Sequence, residues 1–161
     1  YSGRGVSKNK LKDFDSAIND FTEAINIRPS SYFLNWRAYL KLQIDDMKGA
    51  IDDNTKAIEL EPTNTKNFFD RAYAKFQIGD LYGTISDYEQ IIEIGTLEES
   101  LTAINYLTAT YISKGIYQKV IPLIDIGKKI SKNIKKKNDD YLNLFYVSIV
   151  YYLYIIWFFY L

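Results

Sequence analysis

Residues 35–62 read NWRAYLKLQIDDMKGAIDDNTKAIELEP. The stretch holds two apolar helical patterns, a break at Asp45-Asp46 and a stop at Pro62. The rest of the chain repeats it. Arg4, Arg37 and Arg71 align, as do Gly5, Ala38 and Ala72, then Asp13, Asp46 and Asp80. So do Ala17, Ala50 and Thr84, and Ile18, Ile51 and Ile85. Asp20, Asp53 and Asp87 follow, then Ala24, Ala57 and Ile91. The first offset is 33 and the second is 34. A fixed period of that length, with two helices in each unit, predicts an all-α solenoid built from helix pairs.

The small residues at fixed places, closed by Pro29 and Pro62, resemble the tetratricopeptide repeat. That resemblance implies a right-handed α-solenoid of antiparallel helix pairs. It implies a non-enzymatic interaction scaffold with a protein or peptide partner, and it names no ligand. In such proteins the first helices line a concave groove that holds an extended peptide. Carried over by alignment, the groove positions are Asn35, Tyr39, Gln43, Lys66, Phe69, Tyr73, Gln77 and Asn105. Tyr39 and Tyr73, and Gln43 and Gln77, are each 34 apart and form two ladders. Amides suit a peptide backbone, and tyrosine rings offer contact area at low entropy cost. The alternative is that the two tyrosines are packing residues between helices. Some family members grip a C-terminal carboxylate with a clamp of cations and an amide. Only Lys66 stands at such a position here; Ser2, Val6, Trp36 and Asp70 occupy the others. A clamp for chaperone tails is therefore not expected.

Composition narrows the chemistry. The 161 residues carry no net charge, so no global field favours nucleic acid. Residues 1–125 carry 14 basic and 18 acidic residues, against 6 and 2 in residues 126–161. Cys and His are both absent. Disulfides and the usual nucleophile–base pairs are thereby excluded, and no cofactor or metal site is expected. The compartment stays open between a cytoplasmic and a membrane-associated chain. Tyr1 falls inside a repeat, so the sequence reads as part of a longer one.

Four repeats are expected, at about residues 1–31, 32–64, 65–96 and a degenerate 97–134. In the first, a helix from about Phe14 to Arg28 has Asp13 as N-cap. The third turns at Gly79-Asp80 and lacks a closing proline. In the fourth, Val120 lies 36 residues after Thr84, so two residues are inserted. Pro122 is harmless only in the first turn of its helix.

Arg4 to Asp20, Arg37 to Asp53 and Arg71 to Asp87 are each 16 residues apart. That spacing sets an arginine midway along a first helix and an aspartate early in the second. The expectation is a structural ion pair in each repeat; the alternative is a row of arginines facing an acidic ligand. Gly3-Arg4-Gly5 lies in a helical pattern rather than after a strand, which argues against a phosphate loop. Asp13-Phe14-Asp15, Asp45-Asp46 and Asp139-Asp140 lack the glycine and distal Glu of a calcium loop.

The chain ends differently. Lys128, Lys129, Lys132 and Lys135–Lys137 read either as a solvated helix end or as a patch for lipid or an acidic partner. Residues 141–161, YLNLFYVSIVYYLYIIWFFYL, are almost wholly apolar. Three readings stand: a packed or capping helix from about Asp140, with Leu144, Phe145, Ser148 and Tyr152 inward, a transmembrane segment, or an artefact of truncation. The first two leave self-association or membrane contact open.

Overall fold

A computed structural model describes residues 1–133 together with Val150 and Tyr154. The elements among them are helical throughout: α1 (Ser2–Lys10), α2 (Phe14–Ile27), α3 (Ser31–Gln43), α4 (Met47–Leu60), α5 (Thr65–Gln77), α6 (Leu81–Ile94), α7 (Leu97–Ser113) and α8 (Val120–Asn133). A short 3-10 turn, Tyr117–Lys119, precedes α8. By their contacts the residues form two compact units, Tyr1–Asp87 and Tyr88–Leu161.

In the first unit each helix packs on the next, from α1 to α5. Arg37 meets Asp53 while Lys41 meets Gly49, so α3 and α4 run antiparallel. Small residues let the helices approach. Ala17, Ala38, Ala50, Ala57, Ala72 and Ala74 have no exposed surface. At such contacts an added methylene forces neighbours off their rotamers. Gly5 is the tightest case: a Cβ there would sit 2.8 Å from the Phe21 ring.

The turns within the pairs share one device. Lys12, Asp45, Gly79 and Gly115 hold left-handed φ values of 59°, 61°, 80° and 71°. In the first three turns the following aspartate caps the second helix. Asp13, Asp46 and Asp80 accept from the backbone N–H groups of Ser16, Gly49 and Gly83 at 3.3, 2.9 and 2.9 Å. Such a cap satisfies one of the orphan donors of the helix start.

In the second unit α7 packs on α8. Here α6 ends without a proline. Thr96 and Glu99 instead form a reciprocal capping box that starts α7 afresh. The inserted residues go into α7, which has 17 residues where α5 has 13. Pro122 falls in the first turn of α8, where its missing N–H costs nothing. Among the described residues no helix is long and apolar enough to cross a membrane. The basic run from Lys135 and the stretch 141–161, with its inward set Leu144, Phe145, Ser148 and Tyr152, lie outside those residues, Val150 and Tyr154 excepted.

Candidate functional site

Each repeated arginine is spent on an aspartate, Arg37 and Arg71 half-buried and Arg4 exposed. Arg37 Nε and Nη2 hold Asp53 at 2.8 and 2.6 Å, and Arg71 holds Asp87 at 3.0 and 2.6 Å. Arg4 Nε lies 2.9 Å from both Asp20 oxygens. The two-point fork matches the carboxylate plane, which lysine cannot do. A second cation joins every pair. Lys8, Lys41 and Lys75 approach the same carboxylates at 2.9 Å. The signal was present in the sequence: a lysine stands four residues after each arginine, one helical turn along the same face. Arg4, and secondarily Lys8, hold the Asp20 carboxyl well below the usual carboxylate range, against the opposing cost of burial. Two cations on each buried carboxylate leave every cluster one charge positive.

The arginines also tie repeat to repeat. Arg37 Nη1 donates to Thr22 Oγ1 at 3.0 Å and Arg71 Nη1 to Thr55 Oγ1 at 3.1 Å. Thr22 and Thr55 are 33 apart, so the link recurs with the period.

The carried-over groove positions divide. Tyr39 and Tyr73 are 37% and 48% exposed, so they stand at the surface rather than inside the helix stack. Gln43, Gln77 and Lys66 are exposed; Asn35 and Phe69 are half-buried. Asn105 belongs to the second unit and the other seven to the first.

Three of those positions, Asn35, Tyr39 and Lys66, meet Asn9 and Trp36 around a pocket of about 240 Å³. Its wall is held from behind. The Trp36 ring stacks on Phe21 from α2, with centroids 5.8 Å apart and planes 3° apart. Tyr39 and Tyr32 meet the same ring edge-on at 6.0 and 6.4 Å. Asn35 is fixed too. Its Nδ2 donates to Asn67 Oδ1 and Asp70 Oδ2, both at 3.1 Å, which leaves its Oδ1 as acceptor for a visitor. Asn67 in turn donates to Ser31 at 3.2 Å, so α3 and α5 are laced by amides. Lys66 stands at the rim, paired with Asp70 one turn on. Trp36 entered the sequence reading only as the wrong residue for a clamp, and Asn9 not at all. Asn9 aligns with Leu42, which packs on the Ala38, Ala50 and Ala74 cluster, so the repeat offset gave no pointer to the pocket.

A second pocket, about 320 Å³, lies within the second unit between Leu107, Tyr111, Lys119, Pro122, Leu123 and Ile126. Burial pushes the Tyr111 phenol above its ordinary value, with Lys119 over its ring opposing the shift. Among the described residues no cluster of acidic side chains could hold a metal ion.

Comparison with known proteins fits this geometry. Residues 1–31 match the family model of the tetratricopeptide repeat. No curated protein sequence matches the chain. Among solved structures, that of MamA aligns with a TM-score of 0.70 at 20% identity, over 90% of this chain and 92% of that one. The first repeat domain of Spaghetti, solved with the HSP90 peptide SRMEEVD, aligns at 0.63 and 23% identity, over 71% and 90%. YrrB, described as a tetratricopeptide protein with an unusual peptide-binding site, aligns at 0.68 and 17% identity, over 88% and 71%. At these identities the likeness is one of fold. This chain carries a tetratricopeptide repeat at residues 1–31 and has the all-α helix-pair fold of tetratricopeptide-repeat proteins.

Proposed function

We propose that this protein is a non-enzymatic interaction scaffold that takes an extended peptide or partner segment along α1, α3 and α5. The carrying observation is the pocket at Asn35, Tyr39 and Lys66, three of the positions that the resemblance to the tetratricopeptide repeat carries over as groove. Tyr73 continues the same row, and Gln43 and Gln77 supply amides for a peptide backbone. At about 240 Å³ the pocket is smaller than the roughly 300–1,000 Å³ of small-molecule sites and suits a single side chain. The peptide bound to Spaghetti and the peptide site of YrrB support the same reading.

The test is selection from a random peptide library displayed with both ends fused. Enriched peptides should bind the chain, and Tyr73→Ala should weaken them by about 2 kcal/mol with helicity unchanged. Failure to enrich any peptide, or equal affinity for Tyr73→Ala, would overturn the proposal.

A further inference from the structure

Resting on that reading, we infer that the pocket receives an apolar side chain from within an acidic segment, not the end of a chain. Two independent observations carry this. The first is the pocket wall. Trp36 presents an indole already immobilised between Phe21, Tyr32 and Tyr39. An anchor entering there meets a surface that loses no rotamer freedom on binding. The polar groups at the mouth are neutral or already paired. Asn9 and Asn35 are amides, and the Lys66 ammonium is neutralised by Asp70. Nothing in that set is arranged to grip a terminal carboxylate. Asn35, with both amide protons committed, offers only an acceptor, which suits a backbone N–H beside an anchor.

The second observation is the charge of the helices that build this face. Together α1, α3 and α5 carry eight basic residues and one acidic. Asp20, Asp53 and Asp87, held from below, remove three of those charges, so the balance is four positive. The second helices α2 and α4 carry the exposed acids Asp15, Glu23, Asp52 and Glu59 against the exposed Lys48 and Lys56, a balance of two negative. The first unit is thus polarised between its first-helix and second-helix layers. A ligand drawn to the first-helix layer is complementary when acidic, and its affinity falls as salt screens the field.

The experiment uses the full chain with Trp157→Phe, which leaves Trp36 as the sole indole. Peptides from the fused-end library are synthesised twice, with free ends and with acetylated and amidated ends. Their binding is read by Trp36 emission and by anisotropy, at low and raised salt. Enriched sequences should share an aromatic or aliphatic residue flanked by Asp or Glu. Replacing that residue by Ala, or Tyr39 by Ala in the protein, should each cost about tenfold or more in affinity. Blocking the peptide ends should cost nothing. Peptides that still need Tyr73 but are basic, lack an apolar anchor or leave Trp36 emission unmoved would overturn this inference while the scaffold reading stood. Self-association that shields Trp36 without any peptide would also overturn it, since the acidic surface would then be a second copy of the chain.

Discussion

Lys41 and Asp53 are bonded at 2.9 Å although Asp53 is already held by a two-point arginine fork. The aspartate is 1% exposed, so a full charge sits in the helix interface with two partners. Removing it should do more harm than removing either cation. Asp53→Ala leaves two cations facing each other and should cost about 3–5 kcal/mol, as for a broken buried pair. Arg37→Met leaves Lys41 in place and should cost clearly less. Urea unfolding of the two variants measures the order, and equal losses would show that Lys41 contributes nothing.

Acid should loosen the first repeat. Asp20 has a folded-state pKa depressed by Arg4 and Lys8. A depressed carboxylate contributes stability that is present above its unfolded value, about 3.9 for aspartate, and lost as pH falls toward the folded value. Stability measured from pH 5 downward should therefore decline, most steeply below about pH 4. In Asp20→Asn the same titration should be shallower. An unchanged slope would place the acid sensitivity elsewhere.

Asn54 is fully buried, and among the described residues neither polar atom of its side chain has a hydrogen-bond partner. Phe21 and Tyr88 occupy the equivalent places 33 residues before and 34 after. A buried amide without partners carries a desolvation cost of about 1–3 kcal/mol. Asn54→Leu should remove that cost and stabilise the protein by about 1 kcal/mol, less any overpacking. Thermal melting decides the sign. A loss of stability would mean that an ordered water satisfies the amide.

Lys12 has a left-handed φ of 59°, where Gly79 and Gly115 stand at the matching turns. A side chain in that region costs roughly 1–2 kcal/mol, which glycine escapes at some cost in unfolded-state entropy. Lys12→Gly should raise stability by about 0.5 kcal/mol, and Gly79→Ala should lower it by about 1 kcal/mol. Chemical denaturation of the pair tests the argument. A loss on Lys12→Gly would show that the lysine side chain contributes contacts that outweigh the backbone strain.

Periodicity is a property of the chain itself, and what depends on it was legible without coordinates. The 33- and 34-residue offsets located the helix pairs, the capping aspartates and the small residues at close contacts. The 16-residue spacing likewise set Arg and Asp on facing helices, because both ends of that contact lie within one repeat. What crosses between repeats was not legible. The links Arg37–Thr22 and Arg71–Thr55, the amide lacing of Asn35, Asn67 and Ser31, and the stack of Trp36 on Phe21 join side chains from different repeats. A repeat pattern says which face of its own helix a residue occupies. Only the packed neighbour decides what that face meets. For the same reason the pocket at Trp36 and Asn9, and the unpartnered amide of Asn54, emerge from tertiary structure alone. Trp36 is half-buried because Phe21 lies beneath it, and Asn54 is sealed from water because the helices around it close over an amide that none of them bonds.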